Sequence, residues 1–157
     1  MSDIEGPTAG TLALVFEQFD MSGIATLRHD VTRCAEAAGL AGEALDDFVL
    51  AINELVTNAV RHGGGRGWLR LWHDGDRLVC EVSDRGAGIV DGATNGHVKP
   101  SPYVAGGWGM WLARELSDMM TIDTGPDGTT VRISAVIPNS GPAGHRPRTN
   151  PGESTQE

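Results

Sequence analysis

Between about Gly42 and His62, the residues Leu45, Phe48, Val49, Ile52, Leu55, Val56, Ala59 and Val60 recur at three- and four-residue intervals. That is the period of a helix with one wide apolar stripe. Such a helix has to lie against a second layer, because the stripe must leave water. With Ile52 at zero and about 100° per residue, the stripe runs from roughly 300° through zero to 80°. Glu54, Asn58 and His62 then fall at about 200°, 240° and 280°, a polar line along the border between core and solvent. Ala51 shares that flank and is small enough to admit a ligand. Gly63, Gly64 and Gly65 follow directly. A solvated polar face accounts for E-x-x-x-N-x-x-x-H taken alone, but not for the glycine run after it.

The neighbouring segments supply the second layer. Thr11 to Phe16 reads as a strand with Leu12, Leu14 and Phe16 on one face. A helix is expected over Ile24 to Ala38, closed by Gly39. In "GWLRLWHDGDRLVCEVSDRG" two β-rich runs meet at Asp74-Gly75-Asp76, whose Asp-Gly pair predicts a hairpin. Residues 86–107 are rich in glycine, contain Pro100 and Pro102 and lack periodicity, so a long functional or mobile loop is expected there. A third helix from Trp108 to Met119 precedes a second hairpin around Asp127-Gly128. This order predicts a two-layer α/β sandwich: a mixed, mostly antiparallel sheet with helices on one face.

One domain is expected, over residues 10–137, after a flexible stretch at 1–9. From Pro138 to Glu157, four prolines, three glycines and no large apolar side chain predict a disordered tail. Twelve basic against 21 acidic residues give a net charge of −9. That balance opposes direct nucleic-acid or anionic-membrane binding, which needs a basic surface. No apolar run is long enough to span a membrane and the start is acidic, so a cytoplasmic location is expected. Cys34 and Cys80 form no C-x-x-C and read as buried free thiols.

Two further glycine clusters carry chemistry. Asp84-Arg85-Gly86-Ala87-Gly88 sits where a strand ends. Its carboxylate can accept from an exocyclic amine, while the glycines let backbone approach a planar ring. Gly106-Gly107-Trp108-Gly109 opens the third helix, where exposed N–H groups and the positive dipole end suit a phosphate. Familiar phosphate motifs are absent. The only lysine, Lys99, lies between Val98 and Pro100, which excludes a P-loop. Leu112 stands where a dinucleotide fingerprint needs Gly or Ala, and no H-E-x-x-H, G-x-S-x-G or H-R-D occurs.

The strings "NELVTNAVRHG", "SDRGAGI", "GGWGMWLAR" and "GTTVRI", in this order, resemble the motif set of the Bergerat-fold ATPases, the superfamily of gyrase, histidine kinases and mismatch-repair ATPases. The wording of the first string is most similar to the anti-sigma-factor serine kinases of bacterial partner-switching systems. The resemblance spans about residues 10–137. It implies ATP and Mg²⁺ as cofactors, with Asn58 as the Mg²⁺ ligand and Glu54 as the general base for the attacking hydroxyl. It further implies that Asp84 recognises the adenine amino group beside Gly86 and Gly88, that Gly107 and Gly109 let a loop close over the phosphates, and that Thr130 supports Asp84 through its hydroxyl. His62 ends the first motif without an assigned role.

The implied function is a serine/threonine protein kinase that phosphorylates an anti-sigma antagonist, a STAS-domain protein, and binds a sigma factor when free. The resemblance also admits a homodimer. Two alternatives stand beside this reading. One is an ATP-dependent binding switch without significant kinase activity. The other is the separate catalytic part of a histidine kinase, for which "LRHDVTRC" offers His29 beside Asp30, although only one helix precedes the nucleotide helix.

Overall fold

Five strands form the sheet: β1 (Val15–Asp20), β2 (Arg66–Asp74), β3 (Arg77–Asp84), β4 (Met119–Gly125) and β5 (Gly128–Val136). The structure is a computed structural model and describes residues 13–88 and 108–138. The strands join in the order β1-β2-β3-β5-β4, every described pair antiparallel. Three helices, α1 (Ile24–Ala38), α2 (Gly42–His62) and α3 (Trp108–Leu116), complete the described elements. The stretch at 1–9, most of the loop at 86–107 and the tail beyond Pro138 lie outside the described residues.

The apolar stripe of α2 forms the centre of the core. Phe48, Ile52, Leu55, Val56 and Ala59 are buried in one cluster with Leu69, Leu71, Leu78, Cys80, Val82, Val131 and Ile133 of the sheet. Each large side chain of that stripe contributes about 1.5–3 kcal/mol by leaving water. Helix α1 adds Leu27, Val31 and Ala35, four residues apart on one face. Gly39 closes it at φ 113°, the left-handed conformation that a glycine adopts without a Cβ clash. Both hairpins turn where the sequence indicates, with Asp74 facing Arg77 and Gly125 facing Gly128. Cys34 and Cys80 are free thiols, and burial pushes the Cys80 thiol well above its ordinary pKa. Among the described residues no helix is long and apolar enough to cross a membrane.

Two boundaries differ from the sequence expectation. The first strand begins at Val15 rather than Thr11 and runs on to Asp20, where the Asp20 side chain accepts from the Ser22 N–H and opens a 3₁₀ turn. Its core face is the one that carries Val15 and Phe19, which are buried, whereas Leu14 and Phe16 are 44% and 65% exposed. Both faces of this strand are apolar, so alternation alone selects neither. Helix α3 stops at Leu116, short of the expected Met119, because Asp118 already donates its N–H to the Ser134 carbonyl (2.9 Å) and Met119 enters β4.

Candidate functional site

Helix α2 presents Glu54 and Asn58 half-buried on the flank that faces α3. The first turn of α3 comes so near that a Cβ on Gly109 would lie 2.9 Å from Glu54 Oε2 and 3.4 Å from both polar side-chain atoms of Asn58. Only a residue without a side chain leaves that carboxylate and amide undisturbed. Ala51, expected to leave room for a ligand, is fully buried, so its small size serves packing.

A second cluster forms where α2 ends. Asp84, the last residue of β3, accepts the Gly86 N–H on Oδ1 at 2.9 Å, which folds the chain sharply after the strand. A carboxylate keeps further lone pairs for an exocyclic amine. A Cβ on Gly63 would lie 2.5 Å from Asp84 Cβ and from the Ala59 carbonyl oxygen. One on Gly86 would lie 2.6 Å from Gly63 Cα and 2.8 Å from the His62 carbonyl oxygen. His62 itself is exposed, and its backbone rather than its imidazole meets this cluster. Gly88, at φ 84°, packs on Gly125 and Thr124, and Gly128 packs on the Asp84 carbonyl. The glycines thus allow the Asp84 loop to pass between the end of α2 and the β4–β5 turn.

These two clusters share one helix, so their spacing follows from helical rise. Glu54 precedes Asn58 by about 6 Å along the axis, and Asn58 precedes Gly63 by about 7.5 Å. The arrangement offers a carboxylate acceptor with close backbone at one end. At the other, roughly 13 Å away, it offers a carboxylate and an amide beside the N-terminus of a helix, whose dipole favours anions.

The register overturns the expected place of Thr130. Thr130 pairs with Ser83, and their hydroxyls lie 3.2 Å apart on the face turned away from the helices. Asp84 pairs with Thr129, which is buried on the helix side and shares a 2.8 Å hydrogen bond with Thr124. Thr129 is therefore the threonine on the same face as Asp84. The signal was in the sequence: Val131, Ile133 and Ala135 alternate inward, and counting back by two reaches Thr129. Gly107 and Lys99 lie outside the described residues. Among the described residues no three His, Cys, Asp or Glu side chains gather as a metal site.

Comparison with known proteins agrees with this fold. The family described as histidine kinase-like ATPase domain matches residues 19–135. The serine-protein kinase RsbW of Staphylococcus epidermidis is 27% identical over 112 residues, taking in 63% of this chain and 70% of that protein. Among solved structures, the RsbU and RsbW domains of Rv1364c from Mycobacterium tuberculosis superpose with a TM-score of 0.54 at 23% identity, covering 78% of this chain and 32% of that one. The mycobacterial sensor histidine kinase MprB gives a TM-score of 0.50 at 17% identity, covering 78% of this chain and 97% of that chain. At such identities the superpositions speak for the fold.

Proposed function

Since the chain belongs to the histidine kinase-like ATPase domain family, whose model spans residues 19–135, we propose that it is an ATP-dependent protein serine kinase. In this reading it phosphorylates an anti-sigma antagonist and holds a sigma factor when that antagonist is absent. The observation that carries the proposal is the contact of Gly109 with Glu54 and Asn58, which puts a potential base, an amide oxygen and a helix N-terminus in one place. Likeness to the RsbW serine-protein kinase supports serine as the acceptor.

Each residue then has a task set by its chemistry. Asp84 accepts from the adenine amino group, while Gly86 and Gly88 keep side chains away from the ring. Asn58 offers a single neutral oxygen. That suits Mg²⁺, which sheds water reluctantly and is commonly held by few protein ligands together with phosphates. When bound, Mg²⁺ would neutralise phosphate charge. Glu54, one turn before Asn58, orients the incoming hydroxyl and takes its proton. Gly107 and Gly109 free the backbone at the start of α3 to meet the phosphates.

A histidine-kinase reading finds less support. His29 is exposed on α1, and α1 contributes Leu27, Val31 and Ala35 to the core of this same domain. It does not belong to a separate two-helix unit.

The deciding experiment is single-turnover transfer from ATP to a STAS-domain antagonist, beside ATP affinity, for the parent and Glu54→Gln. Transfer at least about a hundredfold slower with affinity retained supports Glu54 as the base, since a positioned base contributes about 10²–10⁴. An unchanged rate removes it from the mechanism. An acid-labile phosphoprotein would reassign the acceptor to histidine, and no transfer by the parent would leave the binding switch.

A further inference from the structure

Strand β3 ends at Asp84, so the carboxylate proposed to meet adenine belongs to the last residue that the sheet ladder holds. Arg85, Gly86, Ala87 and Gly88 follow outside any helix or strand. The direction of the Asp84 side chain therefore depends on how the chain is fixed just beyond the strand. On the helix side, the Gly86 N–H on Asp84 Oδ1 and the close approach of Gly63 do this.

The other face of the sheet carries a second hold. Side chains alternate along β3 and past its end: Ser83 points away from the helices, Asp84 toward them, and Arg85 away again. There the Arg85 guanidinium lies 4.9 Å from the centre of the Trp68 ring. A guanidinium within about 6 Å of an indole face is attracted by the ring quadrupole. Trp68 is a firm anchor, because it is half-buried and its strand pairs on both sides, with Gln18 of β1 and Ser83 of β3. The backbone beneath also has little freedom: a Cβ on Gly128 would lie 3.0 Å from Arg85 Cα. Arg85 itself is exposed, so its stacking adds little to the core, yet it acts one residue from Asp84.

We propose that Arg85 is a positioning residue. By stacking on Trp68 it holds the turn after β3 so that the Asp84 carboxylate keeps the direction in which it accepts an amine. The pair thereby sets the preference for adenine over a purine that lacks the 6-amino group. This inference rests on the reading of Asp84 as the adenine acceptor, and it assigns part of the specificity to two side chains on the opposite face of the sheet from the base.

The test compares ATP with purine riboside triphosphate, which lacks only the 6-amino group. Calorimetry on the full chain gives both dissociation constants, and their ratio is the readout. Loss of the Arg85 charge weakens the general attraction of either triphosphate alike, so the ratio is blind to it. The parent is expected to prefer ATP by about fivefold or more, the lower end of what an unpaired buried acceptor costs. Arg85→Met and Trp68→Leu should each cut that preference by about two- to fivefold, the worth of an exposed cation–π contact. The double variant should lose no more than either alone, because both changes remove one contact. Arg85→Lys and Trp68→Phe, which keep a cation over a ring, should retain most of the preference. An unchanged ratio in Arg85→Met overturns the proposal, even where both nucleotides bind more weakly, since the stack is then a structural contact only. Additive losses from the two positions overturn it as well. A parent that binds both nucleotides equally overturns the adenine reading itself, which separates that failure from the failure of the positioning role.

Discussion

Gly63 and Asp84 touch so closely that a Cβ on the glycine would lie 2.5 Å from Asp84 Cβ. The end of the polar helix and the end of β3 are thereby held against one another. An aspartate at a strand terminus is otherwise free to turn, and the contact limits where its carboxylate can point. The glycine after "NELVTNAVRH" thus serves as a wall for Asp84.

Gly63→Ala tests that wall. The glycine has φ −105°, a conformation open to any residue, so the substitution introduces crowding and no backbone strain. Its methyl group would meet both Asp84 and the Ala59 carbonyl oxygen. Overpacking of this kind costs about 1–3 kcal/mol in stability. If Asp84 recognises adenine, ATP affinity measured by calorimetry should also fall, by about tenfold, or 1.4 kcal/mol. A destabilised variant with parental affinity would detach Asp84 from the ligand.

A pair of adjacent threonines gives a sharper comparison. Thr129 shares the helix-side face with Asp84, whereas Thr130 bonds Ser83 on the opposite face. Thr129→Val removes a hydroxyl near the proposed adenine site and should cost about 1 kcal/mol, roughly fivefold in Kd for ATP. Thr130→Val should leave that Kd unchanged. The reverse pattern would mean that the ligand approaches the other face of the sheet.

The two threonines also mark where sequence reasoning stops. The α2 stripe, the three glycine clusters and the two hairpin turns were legible because each is a local signal: a period, a dihedral requirement or a turn pair. The face of β1 was not, because Leu14 and Phe16 compete with Val15 and Phe19 and only pairing with β2 decides. In Thr129-Thr130 every face receives a hydroxyl, so composition is silent and register settles which one accompanies Asp84. The contacts of Gly63 with Asp84 and of Gly109 with Glu54 join distant segments. Their glycines were visible in the sequence, but what each had to avoid was not.

Glu17, on the helix-side face of β1, provides a pH test of the fold. Burial and then the neighbouring Asp30 carboxyl, through a hydrogen bond and like charge, raise its pKa above the ordinary glutamate value. A carboxyl with a raised folded-state pKa destabilises the fold when ionised, and the penalty disappears as pH falls through that pKa. Glu17→Gln should therefore raise the melting temperature at neutral pH. Its advantage should shrink in the window just above the ordinary glutamate pKa and vanish below it. Thermal melts of both proteins across that window check the sign, and a constant difference at all pH values would exclude Glu17 as the titrating group.

The contact between Gly109 and Glu54 permits the most discriminating test of the proposed chemistry. A methyl group at position 109 would lie 2.9 Å from Glu54 Oε2, closer than an unshifted carboxylate tolerates. Gly109 belongs to α3, where alanine is by itself about 1 kcal/mol more favourable than glycine, so loss of function in Gly109→Ala could not be blamed on helix propensity. If Glu54 is the base, displacing it should slow phosphate transfer by about tenfold or more, part of the 10²–10⁴ that a positioned base supplies. Glu54→Ala alone should show the larger loss. Because alanine at position 54 removes the group that the new methyl strikes, adding Gly109→Ala to Glu54→Ala should cost little more. Such non-additivity is what a double-mutant cycle reads as direct coupling. Single-turnover rates for the four proteins complete the cycle. Fully additive losses would mean that Gly109 acts through the phosphates or through Asn58, and that its closeness to Glu54 is packing alone.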